Sequence, residues 1–206
     1  MRGLWLGCLL VGCATAREIP RGAPPRTPAL SEEAREPIVA AARSLVGKHF
    51  GDDCTGLVRA VFRVRSVDLL ADAEPGDNGV TAIYRFALGR GRVFTGGHPL
   101  PGDLVFFHDT WDQNGDGRVN DGLTHVGLVE SIDPDGTVSV IHRVQRGVVR
   151  YRMNLQHPSI RQDAKTGAVL NDYLRPKGRG PAVLTGQLFA AYATLFTRVE
   201  PVASAR

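Results

Sequence analysis

Apolar positions recur along the chain first at one spacing and then at another. From residue 31 to about 90 they come at helical intervals: Ile38, Ala42 and Leu45, then Leu57, Val58, Val61 and Phe62, then Ile83, Tyr84 and Ala87. This predicts a helix from Ser31 or Glu36 to Val46, with Pro37 as a candidate first helical residue and Gly47 as its stop. A second helix starts near Cys54, and a third runs from Val80 to Leu88. Beyond the glycines at 89, 91, 96 and 97 the pattern changes to short β-rich runs: Leu104 to Phe107, Thr124 to Ser131, Thr137 to Val144 and Val148 to Met153. Pro101-Gly102-Asp103 reads as a turn feeding the first run, and Asp133-Pro134-Asp135-Gly136 as the turn of a hairpin joining the second to the third. Leu184, Leu188, Tyr192 and Leu195 return to helical spacing and predict a closing helix docked on the sheet. No internal repeat is visible. Helices followed by antiparallel strands give an α+β fold class.

Composition changes this picture mainly at the ends. With 206 residues and 43% apolar content the chain suits one globular domain, read as 31–198 with its core at 34–155. Residues 1–16 read as an export signal: Arg2, an apolar run from Leu4 to Val11, then small residues, too short to span a membrane. Two cleavage readings compete. Leu10-Val11-Gly12-Cys13 resembles the lipobox of bacterial lipoproteins, which makes Cys13 a lipidated first residue and anchors the protein to a membrane of the cell envelope. Ala14-Thr15-Ala16 fits an ordinary signal-peptidase site and gives a secreted or periplasmic protein. Residues 17–30, with Pro20, Pro24, Pro25 and Pro28, form a semi-extended tether. The formal charge of +4, with scattered arginines, offers no argument for nucleic acid. A monomer is expected.

Either cleavage leaves Cys54 as the one thiol, so no intramolecular disulfide forms in the processed chain. An unpaired cysteine in an oxidising compartment needs a reason to be there, and catalysis is the obvious one. Asp52 or Asp53 is a natural N-cap, which sets Cys54 in the first helical turn, where the helix dipole favours thiolate. The competing reading is a small buried hydrophobe. His125 opens the first strand of the hairpin and His142 lies near the end of the second, so the two imidazoles can be neighbours. A helix packed on the sheet can then bring Cys54 to His125, one imidazole taking the thiol proton while a second polar group fixes its tautomer. A zinc site from the same residues lacks a short ligand pair.

Asp53-Cys54-Thr55-Gly56-Leu57-Val58, Pro101-Gly102-Asp103-Leu104-Val105-Phe106-Phe107 and His125-Val126-Gly127-Leu128-Val129, in this order, resemble the NlpC family of bacterial cell-wall cysteine peptidases over roughly residues 34–155. The resemblance implies a papain-like fold, a cysteine-bearing helix on an antiparallel sheet bearing the histidines. It also implies Cys54 as nucleophile, His125 as base, His142 as the residue that orients it, and the peptide part of peptidoglycan as substrate. No cofactor is implied for catalysis. Family members commonly carry Tyr-x-x-Gly-Gly shortly before the cysteine; here Gly47-Lys48-His49-Phe50-Gly51-Asp52 is shorter, with Phe50 near the tyrosine's place. Oxyanion stabilisation then falls to the Cys54 backbone N–H, with His49, Phe50 and Asp53 as further candidates for the substrate and oxyanion region. His98 and His108 read as surface residues. That altered segment motivates a second reading, a non-catalytic wall-binding or scaffolding lipoprotein. A third is an amidase or acyltransferase using the same thiol.

Residues 112–121 hold one more pattern. Asp112, Asn114 and Asp116 followed by Gly117 match the start of an EF-hand calcium loop, with the Arg118 carbonyl in the seventh position and Asn120 or Asp121 supplying further oxygens. The ending does not match, since Leu123 stands where glutamate belongs and a strand follows. A structural calcium ion stiffening the approach to His125 is one expectation, and a solvated Asx/Gly turn is the other.

Overall fold

The computed structural model describes residues 30–178 and 181–196; the signal segment 1–16, Cys13 and the tether up to residue 29 lie outside them. Three helices come first. Helix α1 spans Arg35–Leu45 behind a 3-10 turn at Glu32–Ala34, so Pro37 is its third residue rather than its first. Helix α2 spans Cys54–Arg63 and α3 spans Gly79–Arg90. Each of the last two starts on a side-chain cap. Asp53 Oδ1 accepts from the Gly56 N–H at 2.8 Å, and Asn78 Oδ1 accepts from the Val80 and Thr81 N–H groups at 2.8 and 2.9 Å. Such caps satisfy backbone donors that a helix start leaves orphaned.

The strands are β1 (Arg92–Phe94), β2 (Leu104–His108), β3 (Leu123–Ile132), β4 (Val138–Val144), β5 (Gly147–Met153), β6 (Tyr173–Arg175), β7 (Val183–Leu184) and β8 (Phe189–Thr194). Six form an antiparallel sheet in the order β1-β8-β2-β3-β4-β5, while β6 and β7 pair separately. Both faces of the sheet are covered. Leu104, Phe106, Val126, Leu128, Ile141 and Val148 pack under the helices, and Val105, Phe107, Val129, Val140 and Met153 pack on the opposite side with Leu174, Leu188 and Tyr192. Double coverage explains the unbroken apolar run Leu104 to Phe107. Arg35 locks the first turn of α1 to this sheet through Asp103 at 2.8 Å and the Pro101 carbonyl at 2.9 Å, with its guanidinium 4.0 Å from the Phe196 ring centre.

The predicted closing helix is not formed. Residues 183–194 instead make β7, a 3-10 turn and β8, and β8 lies inside the sheet between β1 and β2. Buried on both faces, Ala191, Tyr192 and Ala193 form a continuous apolar run that overwrites the alternation a half-exposed strand shows. The open edge of β2 needs a partner for its backbone groups, and the tail supplies it: Leu104 to Phe107 pair with Ala193 to Phe189. Leu30, the last residue of the predicted tether, also belongs to the fold, its N–H bonding the Leu195 carbonyl at 3.1 Å.

Between β5 and β7 a buried polar network holds the connecting segment. Asn171 Nδ2 donates to the His157 and Ile160 carbonyls at 2.8 Å each, while its Oδ1 accepts from the Asn154 and Gly186 N–H groups. Asn154 in turn donates to Thr137 Oγ1 at 2.9 Å.

Candidate active site

Three elements meet at one end of the sheet. Capped by Asp53, α2 presents Cys54 as its first residue, next to β3, and the Cys54 sulfur receives the Val126 N–H. That N–H is available because pairing between β3 and β4 starts only at Leu128–Ile141. Gly127 permits the approach of the two strands there: a Cβ on it would lie 2.6 Å from Val140 Cγ1 and 3.1 Å from His142 Cβ. Just past the last paired rung, His125 Nε2 and His142 Nδ1 are 2.7 Å apart. The rings stand at 85° with centres 5.0 Å apart. Cys54, His125 and His142 are all buried.

Burial sets the electrostatics. It pushes the Cys54 thiol up to about 11, helped by the negative charge of Asp53 and opposed by the N–H groups of Val126, Thr55 and Cys54 itself. The helix dipole's expected bias toward thiolate is outweighed by removing the sulfur from water. Burial likewise pulls His125 down to about 4, with Asp53 opposing, and holds His142 well below the ordinary imidazole range, with His125 and Arg146 adding to the effect. At neutral pH the resting pair is therefore thiol and neutral imidazole. The thiolate–imidazolium form has the same proton count and is reached by internal transfer from thiol to imidazole.

A cleft of about 820 Å³ opens over the thiol, lined among others by Cys54, Asn78, Trp111, His125, Arg146 and Tyr151. Of the three further candidates for the substrate and oxyanion region, Asp53 lines the cleft, whereas His49 and Phe50 do not. Phe50 packs against the helix-side core and His49 is exposed. The N–H groups of Cys54 and Thr55, both at the sulfur, are candidate donors to an oxyanion. His98 and His108 also lie off the cleft lining, with His108 beside Asp109 at 2.8 Å. Sequence reading missed Tyr151, Asn78 and Trp111. Only Asn78 carried a signal, as a cap residue ahead of an apolar helical run.

The 112–121 loop folds onto its own oxygens. Asp112 accepts from the Gly115 and Gly117 N–H groups at 2.7 and 2.8 Å, Asn114 from Asp116 and Asp116 from Arg118 at 2.8 Å each. Asp121 reaches back to the Gln113 and Asn114 N–H groups; Asn120 is exposed. Among the described residues no group of three or more His, Cys, Asp or Glu side chains is placed to hold a metal ion.

Residues 45–143 match the family model of the CHAP domain. The CHAP match, to a cysteine/histidine-dependent amidohydrolase or peptidase domain, takes in Cys54, His125 and His142 and agrees with the papain-like α+β reading. No curated protein matches the chain. Among solved structures, one described as Ly7917 with the hydrolyzing product of MDP is similar at 17% identity and a TM-score of 0.46, over 77% of this chain and 61% of that one. This chain thus spans less than two thirds of that structure.

Proposed function

We propose that the protein hydrolyses an amide bond in peptidoglycan peptides through a Cys54 thioester. The observation that carries the reading is the 2.7 Å bond between His125 and His142 beside a helix-first-turn cysteine in an open cleft. With Nε2 of His125 engaged by His142, its Nδ1 is the nitrogen left for the thiol. The thiol proton passes to that nitrogen as sulfur attacks the substrate carbonyl, and the Cys54 and Thr55 N–H groups receive the oxyanion. The imidazolium then protonates the departing amine. Water, deprotonated by the same nitrogen, cleaves the thioester and restores the thiol.

Digestion of purified peptidoglycan by the protein lacking residues 1–16, compared with Cys54→Ala, tests this by mass spectrometry of released fragments. Fragments made only with the cysteine present support hydrolysis and name the bond, separating endopeptidase from amidase. No release from either protein overturns it in favour of wall binding or acyl transfer. Export and lipid attachment at Cys13 are part of the proposal, and metabolic labelling with a fatty acid that is lost in Cys13→Ala tests them.

A further inference from the structure

We propose that Tyr151 is a positioning residue that fixes the tautomers of both histidines through the face of its ring. The inference deepens the reading of Cys54 and His125 as a reacting pair. One proton lies between His125 Nε2 and His142 Nδ1, and two arrangements share it. If His142 donates, His125 carries its own proton on Nδ1, the nitrogen that must accept from the thiol, and cannot act as base. If His125 donates, its Nδ1 lone pair is free and His142 carries its proton on Nε2. The choice rests on what surrounds His142 Nε2.

That nitrogen is buried and has no hydrogen-bond partner among the described residues. A bare lone pair or an unmet N–H there costs stability. The neighbour that resolves it is aromatic: the Tyr151 ring centre lies 4.5 Å from that of His142, with the rings at 67°. An aromatic face is the negative end of a quadrupole, so it attracts an N–H and repels a lone pair. His142 therefore holds its proton on Nε2 and accepts at Nδ1, and His125 keeps a free lone pair at Nδ1. Pairing of His142 with Val149 and of Val140 with Tyr151 makes Tyr151 a diagonal cross-strand neighbour of His142 on one sheet face. Arg146 pins the ring from the cleft side, Nη2 donating to the Tyr151 hydroxyl at 2.8 Å with the guanidinium carbon 5.5 Å from the ring centre.

Histidine tautomers are read in the intact protein by nitrogen–proton correlation spectra of 15N-histidine-labelled samples near neutral pH. The expected result is the Nε2–H form for both residues, with the His142 proton shifted upfield by the ring. Tyr151→Phe keeps both signatures because it keeps the face. Tyr151→Leu yields mixed tautomers, and the rate of Cys54 alkylation by iodoacetamide drops on the order of tenfold, a fraction of the ~10²–10⁴ that a positioned base contributes. Finding His142 protonated on Nδ1 in the parent protein overturns the proposal, as does Tyr151→Leu with unchanged spectra and alkylation. Circular dichroism confirms that each variant is folded. The spectra need no substrate, so they stand or fall apart from peptidoglycan hydrolysis.

Discussion

Two of the polar clusters buried among the described residues are built to opposite rules. Around Asn171 every polar atom of the side chain is used: two N–H donations and acceptance from Asn154, Thr185 and Gly186 at 2.8–3.3 Å. Around His125 and His142 one bond is made and one nitrogen is left without a hydrogen-bond partner among the described residues. A saturated network holds chain segments in place. An unsaturated pair of titratable rings costs stability, and it persists where a proton must be free to move. The first cluster reads as structure and the second as chemistry.

Substitution at the hearts of the two clusters separates them most strongly. His125→Ala is expected to slow Cys54 alkylation and substrate turnover by about 10²–10⁴ while leaving a folded protein. Asn171→Ala is expected to lower unfolding free energy by about 3–5 kcal/mol in urea titrations, by stranding several buried partners, and to leave the activity of the remaining folded fraction unchanged. Equal stability losses, or loss of activity in both, would erase the distinction.

Next come the glycines, each packed against a cluster. A Cβ at Gly127 meets Val140 Cγ1 at 2.6 Å and the His142 Cβ, whereas one at Gly186 meets Asn171 Oδ1 and Pro158 Cα, each at 2.7 Å. Both alanine variants are expected to lose about 1–3 kcal/mol in thermal or urea unfolding. Only Gly127→Ala is expected to lower kcat as well, because it displaces the ring that orients the base.

Acid sharpens the comparison through the histidines. Both folded-state values lie below the ordinary 6.5, His125 at about 4. Below pH 6.5 the unfolded chain takes up protons that the folded one refuses, so their contribution is present above 6.5 and lost as pH falls toward 4. The slope is up to about 1.4 kcal/mol per pH unit for each histidine. Urea midpoints measured from pH 7 to 4.5 in the parent and in His142→Leu check this, since the variant loses one of the two contributions. For catalysis the window is different: the singly protonated pair is the active form, so kcat/KM stays flat from well below 6.5 up toward the thiol value of about 11. An acid limb at the ordinary 6.5 would contradict the buried neutral pair.

The smallest effect concerns the 112–121 loop. We propose it as a structural calcium site on the spacing of Asp112, Asn114 and Asp116. Calorimetric titration at millimolar calcium is expected to give a weak heat that Asp112→Asn abolishes, with no change in kcat; absence of heat in the parent protein rejects the site.

Much of this contrast was legible in the residues. Asp53 ahead of an apolar helical run marked the cap that places Cys54, and the Asp133–Gly136 turn fixed a register that brings His125 to His142. Both are local signals with a physical cause. What escaped was non-local. The tail's helical spacing hid a strand, because a strand covered on both faces loses its alternation and only the open edge of β2 shows where it goes. Tyr151 looked like one more strand aromatic until its ring met that of His142. The thiol's high proton affinity follows from burial, which no motif encodes. The Asn171 network joins positions 11 to 17 residues apart and left no pattern in the chain.

The central claim is a covalent bond between substrate and Cys54. Mixing the protein lacking residues 1–16 with purified peptidoglycan fragments, quenching in acid and recording intact mass tests it directly. The account predicts one added acyl fragment, mapped to Cys54 and missing in His125→Ala. Turnover that persists in Cys54→Ala with no adduct on the parent protein would contradict it.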